Sequence, residues 1–155
     1  VWGQPSWSNH YPSDHYPFMY KTRSKYNSII KIRLADILLL KAEAYVETGN
    51  LQAAAGIVNT IRNRAKLEDL PGTTTTSKDK MADAVLNERR LELAFEGQRW
   101  FDLVRTGKVF AVMNSLNSRD SGRLPVTPVT EATVLLPIPQ TQIDKNPNLT
   151  QNTGY

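Results

Sequence analysis

The strongest constraint in this chain is a pair of apolar-periodic segments, LADILLLKAEAYVE and LQAAAGIVNTIRNRA, separated only by Thr48, Gly49 and Asn50. The spacing predicts a first helix over 30–47, with Leu34, Ile37, Leu38, Lys41 or Ala42, and Tyr45 along one face. It predicts a second over 51–65, with Leu51, Ala54, Ala55, Val58 and Ile61 along its own face. Gly49 suits the positive φ of a helix stop, and Asn50 suits the cap of the next helix. Two amphipathic helices joined by so short a turn must fold back antiparallel. Ala42, Ala44, Ala53, Ala54, Ala55 and Gly56 let the two backbones approach closely.

This is a tetratricopeptide-like layout: a large residue early in the first helix, the Ala44-Tyr45 pair, a Gly-Asn turn and an alanine-rich second helix. Hairpins of this kind bury their outer faces against neighbouring hairpins. One clear copy and one distorted copy are present, so the chain is expected to be a piece of a larger protein. Val1, where an initiator methionine would stand, and the absence of an apolar leader behind it carry the same expectation.

Beyond the hairpin, LPGTTTTS (70–77) reads as a loop, and a third helix is predicted over 78–96 with Ser77 as its cap. Ala84 or Val85, Glu88, Leu91 or Glu92, and Phe95 recur in it at helical spacing. A short fourth helix over 98–105, stopped by Gly107, and another over 109–116 complete the helical part. TVLLPI (133–138) reads as a short extended segment whose prolines exclude a central strand, and a polar tail packs against the helices. The fold class is all-α: helical hairpins with long ordered loops. Two regions are expected, an irregular aromatic lead-in over 1–29 and a helical domain with an extended tail over 30–155.

Composition removes several functions. No apolar run approaches the eighteen or so residues of a membrane-spanning helix. With no cysteine there is no disulfide framework, thiol nucleophile or thiolate metal site. The net charge of +4 lies in residues 1–33, where five basic side chains face Asp14 alone; the remaining 122 residues are neutral. A nucleic-acid binder carries a concentrated basic face on its folded body, so no nucleic-acid partner is expected.

The densest segment is ERRLELAFEGQRWFDLVR, residues 88–105. Glu88, Glu92 and Glu96 fall at i, i+4 and i+8, where like charges repel unless cations intervene. Arginines are abundant nearby, and the planar guanidinium can hold two carboxylate oxygens at once. The reading is a structural network of Glu88, Arg89, Arg90, Glu92, Glu96, Arg99, Trp100, Asp102 and Arg105, with Trp100 and Phe101 as core anchors. No histidine lies there to complete a carboxylate metal site. His10 and His15, five apart beside Asp14, lack the further ligands a metal needs. Phosphate loops, nucleophile elbows and Cys-His pairs are absent from the sequence, so neither an enzyme nor a cofactor is expected.

Seven of the thirteen aromatic residues fall in residues 1–28. Sugar rings present apolar C–H faces that stack on Trp and Tyr, while amides and carboxylates bond their hydroxyls. Trp2, Trp7, Asn9, His10, Tyr11, Asp14 and Tyr16 have that chemistry and are the ligand-binding candidates. Packing of these rings onto the helices is the competing reading.

Three stretches together resemble the C-terminal portion of the SusD/RagB family of surface nutrient-binding lipoproteins: IRLADILLLKAEAYVETGNLQAAAGIVNTIRNRA (32–65), AVLNERRLELAFEGQRWFDLVRTGK (84–108) and LLPIPQTQIDKNPNLTQNTGY (135–155). The resemblance implies a helical scaffold with the ligand site in variable loops. It implies an outer-membrane location on the extracellular face, through a lipid on an N-terminal cysteine outside this chain. The implied partners are a SusC-like TonB-dependent transporter and an oligosaccharide or polysaccharide, with binding and delivery rather than bond cleavage. The rival expectation is a protein–protein scaffold without a small-molecule ligand.

Overall fold

The computed structural model describes residues 30–116 and 128–155. In order, these form α1 (Leu34–Glu47), α2 (Leu51–Arg64), a 3-10 turn (Gly72–Thr76), α3 (Lys78–Glu92), α4 (Arg99–Arg105), α5 (Val109–Ser115), α6 (Glu131–Val134) and α7 (Gln140–Ile143). Among the described residues there is no β-strand. The architecture is all-α and tetratricopeptide-like.

The α1–α2 turn forms from local chemistry. Gly49 sits at φ +82°, where a side chain would strain the backbone. The Asn50 amide donates to the Tyr45 carbonyl at 2.8 Å and the Gly49 amide to Val46 at 3.1 Å, which satisfies carbonyls left open at the end of α1. The Asn50 side chain then accepts from the Ala53 amide at 3.2 Å and caps α2. The end of α4 closes the same way, with Lys108 donating to Leu103 and Gly107 to Val104.

The core is built where α1, α2 and α3 meet. Leu39, Ala42 and Val46 from α1, Ala54, Ala55, Val58 and Ile61 from α2, and Met81 and Val85 from α3 are all buried there. The alanines of both helices are at the contact, so close approach of the backbones replaces large side chains. Leu93, Leu103 and Val109 are buried farther along, where α4 and α5 continue from α3.

Several expectations are corrected. α1 begins at Leu34 rather than 30, and its buried face is Asp36, Leu39, Ala42 and Val46. Leu34 and Ile37 are on the outside, 73% and 50% exposed. The run Ile37-Leu38-Leu39-Leu40 is apolar around the whole helix, so periodicity alone cannot choose a face. α3 ends at Glu92, not 96. Beyond it Phe95 takes φ +66° and is 67% exposed, so it is no part of a helical core face. Phe101 is likewise 67% exposed and does not anchor the core. Ser77 makes no side-chain cap bond, and the threonine loop contains a 3-10 turn. Thr133 and Val134 end α6, leaving only the residues after them extended.

Side-chain amides bind the last segment. Asn114 of α5 holds Val129 through both groups, its Oδ1 accepting from the Val129 amide at 2.8 Å and its Nδ2 donating to the carbonyl at 3.1 Å. Gln151 brackets Ile138 in the same manner at 2.8 and 2.9 Å, and Asn152 donates to the Leu136 carbonyl at 2.6 Å. Gly154 passes so close to α6 that a Cβ there would stand 2.7 Å from that of Ala132.

Candidate functional site

The charged segment 88–105 is the chemical centre of the described residues, and its carboxylates are occupied by arginines from three directions. Arg89 is 3% exposed and lies between Asp36 of α1 and Asp102 of α4. Its Nη1 donates to Asp36 Oδ1 at 2.8 Å, and its Nε donates to the two Asp102 oxygens at 2.9 and 3.0 Å. Asp102 also accepts from Arg105 Nη2 at 2.8 Å, and Arg105 reaches on to Glu43 of α1. One chain of charge therefore crosses α1, α3 and α4: Asp36, Arg89, Asp102, Arg105, Glu43.

A second group closes the same, C-terminal end of α3. Arg33 donates to Glu96 at 2.8 and 3.0 Å, to Glu92 Oε1 at 2.6 Å, and to the Glu92 carbonyl at 2.6 Å. Arg64, at the end of α2, takes Glu92 as well, and Arg62 takes the buried Glu88 at 3.0 Å. Bonds to Arg33 at both carboxylates explain why the chain leaves the helix after Glu92. Carrying Glu96 to the same guanidinium fixes the turn that presents Phe95.

The titration behaviour follows from these bonds. Arg33 is held above the ordinary guanidinium range, chiefly by its hydrogen bonds to Glu96 and then Glu92, against the cost of partial burial. Arg105 is pushed further upward, foremost by its bonds to Glu43 and then by Asp102. Arg99 moves down, because burial disfavours its charge and Arg90 lies close by. All three stay cationic at neutral pH. Arg33 and Arg105 direct most of their donors at protein carboxylates.

Of the nine residues assigned to this network, Glu88, Arg89, Glu92, Glu96, Asp102 and Arg105 take part in these ion pairs. Arg90 does not: it is exposed and donates to Asn87 on its own helix at 2.9 Å. Arg99 donates to the Leu86 carbonyl at 3.5 Å, and Trp100 is half-buried at the start of α4. Sequence reasoning missed Arg33, Asp36, Glu43, Arg62 and Arg64, the partners that complete the pairs. Helical spacing finds neighbours three or four residues away, whereas Asp36 lies 53 residues from Arg89 and Arg33 lies 63 from Glu96.

The ligand-binding candidates Trp2, Trp7, Asn9, His10, Tyr11, Asp14 and Tyr16 lie outside the described residues. Among the described residues no group of three or more His, Cys, Asp or Glu is placed to hold a metal ion, and no helix is long and apolar enough to cross a membrane. An open recess of about 420 Å³ is lined by Glu131, Ala132, Leu135 and residues 150–153. Gln151 and Asn152 in its wall already bond the chain at Ile138 and Leu136, so these amides hold the tail in place.

The geometry is that of a helical scaffold whose carboxylates at 88, 92, 96 and 102 are paired with its own arginines. Known proteins supply the wider context: the family model described as SusD family matches residues 7–155. The chain belongs to the SusD family. A SusD-like protein, P38, from Formosa agariphila is 38% identical over 134 residues, which is 83% of this chain and 25% of that protein. The starch-binding protein SusD of Bacteroides thetaiotaomicron is 33% identical over 149 residues, 96% of this chain and 25% of that protein. Among solved structures, a SusD superfamily protein from Bacteroides vulgatus superposes with a TM-score of 0.67 at 30% identity, covering 81% of this chain and 27% of that one. The chain thus spans about a quarter of the length of the SusD relatives it matches.

Proposed function

We propose that this chain contributes to the non-catalytic capture of glycans or other nutrients at the cell surface. In this reading the protein sits on the extracellular face of the outer membrane, held by a lipid at an N-terminal cysteine outside these residues. It delivers its ligand to a SusC-like TonB-dependent transporter. The observation that carries the reading is the match to a protein named for starch binding, which extends over 96% of this chain. The charged motif supports it from the physical side, because arginines that bond the scaffold's own carboxylates are not available for acid–base work on a substrate.

Within the chain, the ligand contact belongs to residues 1–20, where Trp2, Trp7, Tyr11 and Tyr16 supply stacking faces and Asn9, His10 and Asp14 supply polar groups. The test is a tryptophan-fluorescence titration of the full chain against neutral and acidic polysaccharides, with Trp7→Ala alongside. A saturable change that Trp7→Ala weakens, with helical circular dichroism unchanged, supports a glycan site in this segment and gives its substrate class. No change with any glycan removes the local site and favours a scaffold that docks protein partners instead.

A further inference from the structure

Seven arginines lie among the described residues, and five of them hold carboxylates: Arg33, Arg62, Arg64, Arg89 and Arg105. Arg90 and Arg99 are the other two, and the fold brings them together. Arg90 Nε and Nη2 donate to the Asn87 side-chain oxygen at 3.2 and 2.9 Å. Arg99, at the start of α4, reaches back to α3 and donates through Nη1 to the Leu86 carbonyl at 3.5 Å. Leu86 and Asn87 are consecutive on α3, and in an α-helix the Leu86 carbonyl also accepts the Arg90 amide, four residues on. Two guanidiniums therefore meet at one turn of α3, and the partners they find there are neutral oxygens.

A guanidinium carries five N–H donors. Arg90 commits two of them and Arg99 one, which leaves most donors of the pair without a protein partner among the described residues. Arg90 is exposed and Arg99 half-buried, so the pair is open to solvent. Burial and the charge of Arg90 pull Arg99 below the ordinary guanidinium range. Asp102 acts the other way, but its oxygens already accept from Arg89 and Arg105.

We infer that Arg90 and Arg99 form an oxyanion site that takes the carboxylate or sulfate group of an acidic saccharide. An oxyanion placed between the two cations turns their repulsion into attraction, and its several oxygens suit the planar forks of two guanidiniums. Asn87 already holds Arg90 by two bonds, so the ordering cost of that side chain is partly met before a ligand arrives. The Asn87 oxygen is taken by Arg90, and its amide nitrogen is left to donate to a hydroxyl beside the acid group. An acid group next to a hydroxyl is the chemistry of a uronate or a sulfated sugar. The oxyanion chemistry stands on the two arginines, and its saccharide source rests on the capture reading above.

The test reads the arginine side chains directly. The full 155-residue protein, labelled with heavy nitrogen, is titrated with sodium sulfate, tetragalacturonate and neutral maltotetraose while the arginine Nε–H resonances are followed. Both anions are expected to shift Arg90 and Arg99 saturably, the saccharide at lower concentration, and maltotetraose to leave them in place. Arg90→Gln is expected to weaken tetragalacturonate binding about tenfold or more, through loss of charge-assisted bonds. Arg99→Gln should do the same, and Arg90→Gln carries the test alone where the half-buried change disturbs the fold. Lys80→Gln removes one exposed charge roughly 15 Å back along α3 and should change the affinity less than about twofold. No saturable shift with either anion, or equal losses for Arg90→Gln and Lys80→Gln, overturns the site. Sulfate binding with no tighter binding of tetragalacturonate means an ion site only and overturns the saccharide assignment. Shifts that grow with protein concentration in the absence of added anion overturn it too, by assigning the pair to carboxylates of a second copy. The Trp7 fluorescence change is a separate readout, so failure of this site is told apart from failure of the capture reading.

Discussion

Replacing Arg89 by Met is expected to be among the most damaging single changes in the scaffold. Arg89 is 3% exposed, and its partners Asp36 and Asp102 are 7% and 3% exposed. Removing the cation leaves two carboxylates facing each other across the space that the guanidinium filled. Asp36 loses the ion pair described for it, and Asp102 keeps only Arg105. Breaking a buried pair in this way costs about 3–5 kcal/mol, against about 0–1 kcal/mol for an exposed one. For a chain of this size each kcal/mol moves the melting temperature by roughly 2–4 °C, so the midpoint should fall by about 6–20 °C. Thermal and urea unfolding followed by circular dichroism at 222 nm would measure it. The triple variant Arg89→Met/Asp36→Leu/Asp102→Leu is the informative companion, because removing all three charges also removes the need for compensation. It should recover most of the loss, since buried charge clusters replaced by apolar groups of similar volume are often neutral or stabilising. A cost below about 1 kcal/mol for Arg89→Met would refute the reasoning, because it would show that water reaches both carboxylates in the folded protein.

Three other substitutions probe separate parts of the argument. Arg33→Lys keeps the charge but loses the fork that spans Glu92 and Glu96, so it should destabilise by about 1–2 kcal/mol in urea unfolding; an unchanged midpoint would show that charge alone suffices. Asn50→Ala removes the cap on α2 and should cost about 1 kcal/mol, whereas Gly49→Ala should cost a similar amount by placing a Cβ at φ +82°. Leu39→Ala opens a cavity at the junction of α1, α2 and α3 and should cost about 2–5 kcal/mol, while the same truncation at the exposed Leu34 should be nearly neutral in the isolated helical body. A larger effect at Leu34 than at Leu39 would return the buried face of α1 to the one expected from periodicity.

The hairpin was legible because its determinants are local. Gly49 and Asn50 act on the residues beside them, and the alanines of α2 fall on a face that the polar residues around them define. The face of α1 was legible in part: Ala42 is buried and Leu38 and Tyr45 pack against the core, but Leu34 and Ile37 were misplaced because Ile37 to Leu40 offer an apolar side in every direction. The choice there falls to Ala42 and Val46, whose size suits the crossing, and to Asp36, which must turn inward to meet Arg89. The end of α3 was misjudged for a similar reason. Its carboxylates continue at helical spacing to Glu96, but Arg33 draws Glu92 and Glu96 together from outside the helix. That residue types in 88–105 belong to an arginine–carboxylate arrangement was readable from their density. Which arginine takes which carboxylate depends on a fold that brings positions more than fifty residues apart into contact.

The bracket that Gln151 places around Ile138 has a consequence for solubility. The stretch after α6 is extended and strongly apolar, with Leu135 and Leu136 61% and 81% exposed. Extended apolar segments with open amides are templates for edge-to-edge pairing and fibril growth. Between Pro137 and Pro139 the sole backbone N–H belongs to Ile138, and Gln151 already accepts it. A foreign strand arriving there finds two prolines with nothing to donate and one amide already taken. Gln151 thus does for Ile138 what a neighbouring strand would do in a sheet, and it closes the edge just beyond the exposed leucines.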